Sequence, residues 1–202
     1  MFPLGSVLFP HMPMALRLFE PRYLKMLGDL LEDPRPEFGV VLIERGHEVG
    51  GGDQRFEIGT MAQVLEVDAQ QDFMGLVARG STRFSVRTWL PEDPYPVADV
   101  EPLPPLEWSD SLLPLRTETE GAVRKTLSLT SEFGDTWPAE VELSQDPIAA
   151  CWQLAGVTPV GALDQIAMLK ATSTEELLTL TAGFARDAAE TISMGWPDTP
   201  DQ

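Results

Sequence analysis

The spacing of apolar residues changes about halfway along this chain of 202 residues, near Ser111. Before that point, short apolar runs are bounded by proline and glycine, as is typical of strands and the turns between them. After it, apolar residues recur at steps of three and four, which places them on one face of a helix. The sequence therefore predicts an α+β protein with a β-rich first half and a helical second half.

The first half contains six or seven candidate strands and one helix, which is enough for a small closed or half-closed barrel. A change of period over 23–31 predicts the inserted helix. The run FGVVLIER is continuously apolar and is bounded by Gly46, which predicts a strand buried on both faces. The candidate strands are 7–10, 14–19, 38–45, 58–69, two within 73–90 that are separated at 79–82, and a short one at 97–100.

Four helices are predicted in the second half. The second of them begins at Asp146 and Pro147, a capping residue followed by proline at the first helical position, and it ends at Gly156. The last is opened by Ser173 and Glu176, which form a capping box. The predicted organisation is a β-barrel domain at 1–104, a linker at 105–110, a helical subdomain at 111–196 and a tail at 197–202.

The chain is strongly acidic, with a net charge of −18 from 32 acidic and 14 basic residues. Affinity for nucleic acid comes mainly from Lys and Arg side chains that neutralise phosphates. Only Arg79, Arg83 and Arg87 suggest a basic row, in which Arg83 and Arg87 would share one face of a strand. The composition therefore predicts no nucleic-acid partner, although RNA binding stays open as an alternative.

The apolar opening segment is predicted to belong to a folded domain. Its first basic residue is Arg17, so it lacks the positively charged leader of a secretory signal. Prolines and charges interrupt every apolar stretch before the length of roughly 18 residues that a membrane span needs. Cys151 is the one cysteine and forms no intrachain disulfide, so we expect a cytoplasmic protein without a membrane partner.

Motifs that carry chemistry are missing from the sequence. The only histidines, His11 and His47, and the distant Cys151 do not have the spacing of a zinc site. The glycine cluster GHEVGGGDQ is not followed by the Lys and Ser or Thr of a phosphate loop, and there is no G-x-S-x-G motif. We therefore expect no metal, no cofactor and no enzymatic activity.

The order of the segments resembles the substrate-recognition domain of the ATP-dependent Lon protease. The similarity is strongest in FPLGSVLFPHMPMALRLFEPRYLKML at 2–27. It continues through FGVVLIE, IGTMAQVLEV, GLVARGSTRFSV and DPIAACWQLAGVTPVGALDQIAMLKATSTEELLTL, so it covers nearly the whole chain. The resemblance implies a half-closed β-barrel of the PUA-like type, with about six strands and one inserted helix, followed by a helical bundle.

Nine positions match the family, and the resemblance implies that they build the barrel and hold its helix. They are Pro10, Met12, Leu18, Phe19, Arg22, Tyr23, Gly59, Gly80 and Arg83. In the protease this domain is joined to an ATPase and a Ser-Lys peptidase. This chain has neither a nucleotide loop nor a peptidase motif, so a stand-alone, non-catalytic member is expected.

The resemblance and the lack of catalytic motifs predict a module that binds unfolded or peptide-like protein segments. An open barrel can offer a strand edge and nearby apolar side chains to an extended chain, with Met12, Met14 and Phe73 as the candidates. Besides RNA binding, the second alternative is a small molecule bound in the cleft between barrel and bundle. The oligomeric state, the identity of the client and any cooperation with a protease or chaperone are left open.

Overall fold

The structure, a computed structural model, describes residues 1–45, 54–131 and 137–194. It divides into two compact units, Met1–Pro105 and Leu106–Gln202. The glycine-rich loop with His47, part of the acidic connection after Ser131, and the tail at 197–202 lie outside the described residues.

The described residues of the first unit form a mixed sheet of six strands, with one helix after the second strand. The elements are β1 (Phe2–Leu4), β2 (Pro13–Leu18), α1 (Pro21–Leu30), β3 (Glu37–Arg45), β4 (Gln54–Ala69), β5 (Met74–Leu90) and β6 (Val97–Pro102). The order is β1-β3-β4-β5-β2, and β6 also pairs with β5. Among the described strands, β1 and β3 form the one parallel pair. The sheet is not closed, which confirms the predicted α+β fold with a half-closed barrel.

β5 is one continuous strand, so the predicted separation at 79–82 is wrong. Its first part, 74–79, pairs with β2, and its last part, 84–90, pairs with β6. Gly80 lies between them and marks a close approach of main chains instead of a break. Its N–H donates to the Met12 carbonyl at 2.9 Å, and its carbonyl accepts from the His11 N–H at 2.8 Å.

The first strand lies earlier than the sequence pattern indicated. The predicted strand at 7–10 is not formed, and β1 is Phe2–Leu4. Residues 7–9 are irregular, and His11 turns the chain with a φ of 64°. Leu8 and Phe9 are nevertheless buried, so the apolar run exists because the loop packs in the core.

The core of the first unit lies on both sides of β3, as the continuous apolar run predicted. Phe38, Val40, Val41 and Leu42 are each at most 3% exposed. Val41 packs with side chains of β5, whereas the Phe38 ring centroid lies 6.1 Å from that of Phe2 on β1. Removing most of any one such side chain would cost about 2–5 kcal/mol of unfolding free energy.

The described part of the second unit contains four α-helices. They are α2 (Leu113–Thr130), α3 (Pro147–Val157), α4 (Ala162–Leu169) and α5 (Thr174–Met194), and a 3₁₀ turn, Asp110–Leu112, precedes α2. The Asp146 carboxylate accepts from the Ala149 N–H at 2.7 Å, as a capping residue does. α3 ends at Val157, one residue beyond the predicted stop at Gly156.

Ser173 and Glu176 cap the start of α5 as predicted, but the Glu176 side chain has a different hydrogen-bond donor from the one expected. The Ser173 hydroxyl accepts from the Glu176 N–H at 3.1 Å. The Glu176 carboxylate accepts from the Thr172 N–H, one residue before the expected donor, at 2.7 Å. Hydrogen bonds from the Thr172 N–H and hydroxyl lower the pKa of Glu176 from its usual value.

Two buried threonine hydroxyls join α2 to α5. Thr119 donates to the Leu178 carbonyl at 3.2 Å, and Thr126 donates to the Ala185 carbonyl at 2.7 Å. The donors and the acceptors both advance by seven residues (119 to 126, 178 to 185), so the two helices run parallel. A parallel pair needs a connection that returns to the starting end, and the segment containing α3 and α4 provides it.

Candidate functional site

β2 forms one free edge of the described sheet. β2 pairs with β5 on one side, and the sheet order places no described strand on its other side. The bond from the Gly80 N–H to the Met12 carbonyl makes Met12 and Gly80 a hydrogen-bonded pair. Hydrogen-bonded and non-hydrogen-bonded residue pairs alternate along an antiparallel ladder. The N–H and C=O groups of Ala15 and Arg17 therefore point away from β5.

The main chain of Pro13 also faces away from β5, as it does at Ala15 and Arg17. Proline has no N–H and is tolerated where a strand's N–H would face away from its partner. Its presence at the start of β2 fits the assignment of the free edge. Beyond Pro13, Ala15 and Arg17 each keep a main-chain donor and a main-chain acceptor for another chain.

A cavity of about 180 Å³ lies between β1 and β2, where the barrel fails to close. Its apolar wall includes the Phe2 and Tyr23 rings, whose centroids are 4.2 Å apart. Phe19 also lines it and is 58% exposed, which is unusual for a large aromatic side chain. The remaining lining residues are Leu4, Ala15, Leu16, Arg17, Leu18 and Glu20.

A larger groove of about 590 Å³ crosses the opposite face of β2 and continues over β5 and β4. The register forms two rows across the three strands, Ala15–Val77–Glu66 and Arg17–Gly75–Asp68. Phe73 also lines the groove, with the Arg17 guanidinium 5.2 Å from its ring centroid. The edge of β2 therefore has a concave surface on each face.

The acidic residues of the groove are aligned by a bulge in β4. The register shifts between Val64 and Glu66, which leaves Leu65 as the extra residue. After this shift Glu66 and Asp68 lie two residues apart on the same face of β4. The Gln70 amide donates to Asp68. Among the residues that the structure describes, no Lys or Arg forms an ion pair with either carboxylate.

The three predicted site residues lie on β2 or beside it, in different environments. Met12 is 7% exposed and belongs to the core, and its carbonyl is bonded to Gly80. Met14 is half-buried on β2, paired with Ala78. Phe73 is half-buried in the outer groove.

Sequence reasoning missed the charged residues and the glycine of the groove, and it missed the open cavity beside β1. The groove residues are Arg17, Glu66, Asp68 and Gly75. The alternation in LEVDA is the sequence signal that could have placed two acids on one strand face. Only the pairing of β4 with β5 and of β5 with β2 shows which groove that face belongs to.

Arg79, Arg83 and Arg87 do not form a continuous exposed basic row on β5. Arg83 is 6% exposed, its Nη2 donates to the Pro104 carbonyl at 3.2 Å, and burial lowers the pKa of Arg83 from its usual value. Arg87 is exposed and pairs with Glu101. Glu101 is paired with Ser85, which lies on the same face of β5 as Arg83, so the contact of Arg87 with Glu101 agrees with the predicted shared face.

The described ranges contain no group of three or more His, Cys, Asp or Glu side chains placed to hold a metal ion. Within the same ranges, none of the helices is both long and apolar enough to cross a bilayer.

Cys151 has the environment of an inert thiol. It is 1% exposed on α3, and burial raises its pKa to about 11; Arg116 opposes this shift and Asp146 adds to it. At pH 8 the rise of about two units lowers the thiolate fraction roughly 100-fold relative to an ordinary thiol.

We therefore expect Ellman's reagent to react with Cys151 at least about 100-fold more slowly in the folded chain than in denaturant at pH 8. The two reaction rates measured at the same pH check this. Similar rates would show that the thiol is accessible and ionised in the folded protein.

The fold and the site define a β-rich domain with an open barrel and an accessible strand edge, followed by a helical unit. The chain belongs to the family described as the ATP-dependent protease La (LON) substrate-binding domain, whose model matches residues 1–185. This confirms the resemblance found in the sequence.

Two solved structures have the same fold. The crystal structure of a Lon N-terminal domain protein from Xanthomonas campestris is 23% identical, with a TM-score of 0.61, and the match covers 91% of this chain and 95% of that chain. The N-terminal domain of Mycobacterium avium complex Lon protease is 16% identical, with a TM-score of 0.64, and the match covers 92% and 97%.

Proposed function

We propose that the protein is a non-catalytic module that binds unfolded or extended protein segments along the free edge of β2. The observation that carries this proposal is the edge itself, with outward main-chain groups at Ala15 and Arg17 and a concave surface on each face. An extended segment that pairs with β2 would place alternate side chains in the cavity and over the groove.

The family supports a protein client, because its description is that of a substrate-binding domain of a protease. Met14 and Phe73 lie on the two sides of this edge and would contact the client. Met12 is buried, so its part in the proposal is to hold the loop that packs on Gly80. The site needs no catalytic group, because binding alone would present or retain the client.

Family membership favours a protein client over the two alternatives. For RNA, the net charge of −18 and the internal position of Arg83 both oppose phosphate binding. The small-molecule alternative is predicted for a cleft between barrel and bundle, whereas the groove runs over three strands and suits an extended chain. The proposal places the protein in the cytoplasm, where its single thiol would stay reduced.

Retention of an unfolded protein on the immobilised full chain tests this function. Reduced, carbamidomethylated lysozyme serves as the client, and native lysozyme serves as the control because its sequence and nearly all its charge are the same. We expect the unfolded form to be retained and the native form to pass through. Equal retention of both forms, or of neither, would contradict the proposal.

A further inference from the structure

We propose that the segment bound at β2 alternates large apolar side chains with Lys or Arg. This inference rests on the proposed function, because it names the chemistry of the segment that pairs with the free edge. The two faces of β2 differ in chemistry, and an added strand must present one set of side chains to each.

The inner face selects a large apolar side chain. The cavity between β1 and β2 has a volume of about 180 Å³, which suits one bulky side chain at a time. Phe2, Leu18 and Tyr23 line it and are themselves buried, so a Phe or Leu from the client would bury apolar surface without a polar partner. The charged lining residues are Arg17 and Glu20, and Glu20 is paired with Arg22.

The outer face selects a basic side chain. Glu66 and Asp68 contribute two negative charges to the groove, and Arg17 contributes one positive charge that lies over Phe73. In the row Ala15–Val77–Glu66, only small or apolar side chains separate the free edge from Glu66.

The distance from an added strand to β4 is within the range of this attraction. Three strand spacings amount to about 14 Å between main chains. A Lys or Arg that extends over Ala15 and a Glu66 that extends back over Val77 together cover most of that distance. The remaining separation between the two charged groups is shorter than the Debye length of about 8 Å at physiological ionic strength.

Fluorescence anisotropy with the full chain tests the inference. The probes are fluorescein-labelled peptides of about nine residues, long enough to cover the six residues of β2, with Phe or Leu at alternate positions. The positions between them are all Lys, all Ser or all Glu. We expect the Lys peptide to bind at least about tenfold more tightly than the Ser peptide at low salt, and the Glu peptide to bind most weakly.

Two double variants distinguish the effect of the groove's carboxylates on the preference for Lys from the effect of the protein's overall charge. Glu66→Gln with Asp68→Asn should remove most of the preference for Lys. Glu57→Gln with Asp99→Asn makes the same change in charge at exposed strand positions outside the groove, and it should leave the preference intact. All four residues are exposed, and circular dichroism of each variant checks that the fold is kept.

Each outcome decides between the two proposals. If none of the peptides binds, the proposed function fails together with this inference. If the Lys and Ser peptides bind alike, the function stands and the inference is overturned. It is also overturned if both double variants weaken the preference equally, because the whole surface would then be the cause.

Discussion

Gly80→Ala is expected to lower the free energy of unfolding of the first unit by at least about 3 kcal/mol. A Cβ at this position would lie 2.1 Å from the Phe9 carbonyl oxygen and 2.9 Å from the Phe9 carbonyl carbon. Both are main-chain atoms, so no rotation of a flexible side chain relieves the contact. The loop would have to move away, and the hydrogen bonds that join Gly80 to His11 and Met12 would be lost.

Gly75→Ala is the matched control on the same strand. The nearest atom to its added Cβ is the Asp68 carbonyl oxygen at 3.5 Å, which is an ordinary contact. Neither glycine has a positive φ, so the comparison tests space and not backbone conformation. Urea unfolding followed by circular dichroism measures both variants, and Gly75→Ala should differ from the parent by less than about 1 kcal/mol. Equal stabilities of the two variants would contradict the close approach at Gly80.

Ala15→Pro is expected to weaken the binding of unfolded protein at least about tenfold. The substitution removes an outward N–H of β2 and leaves the bonds between β2 and β5 in place. It also places a ring where the client's main chain would lie. Pro13 already occupies the same kind of position, so the sheet is expected to keep its pairing.

Ala15→Ser is the control for that variant, because it changes the side chain and keeps the N–H. Retention of reduced, carbamidomethylated lysozyme should be lost in Ala15→Pro and preserved in Ala15→Ser. Thermal unfolding of both variants establishes that they are folded. Full retention by a folded Ala15→Pro variant would show that the client uses another surface.

The parts of the fold that depend on residues close together in the sequence could be predicted from it. Asp146 caps α3 and Ser173 caps α5, because a cap involves residues within one helical turn. Gly80 shows the opposite case. A glycine between two apolar runs suggests a break, and only the approach of the loop at Phe9 reveals why glycine is needed there.

The candidate site could be predicted only in outline. The sequence predicts Met12, Met14 and Phe73 as apolar side chains beside an open barrel edge, but it does not show that Met12 is buried, because that burial depends on packing from distant segments. Glu66 and Asp68 join the groove through a bulge and a register that involve three strands. Strand order also decides which edge is free, and order is a long-range property that local patterns do not encode.

Hydrogen exchange at the amides of β2 tests the central claim most directly. In the free protein, the N–H groups of Ala15 and Arg17 point away from β5 and should exchange fast, whereas that of Leu16 faces β5 and should be protected. Addition of reduced, carbamidomethylated lysozyme is expected to slow exchange at Ala15 and Arg17 and to leave Leu16 unchanged. Bound client with no change at Ala15 and Arg17 would contradict the claim that the segment pairs with the free edge of β2.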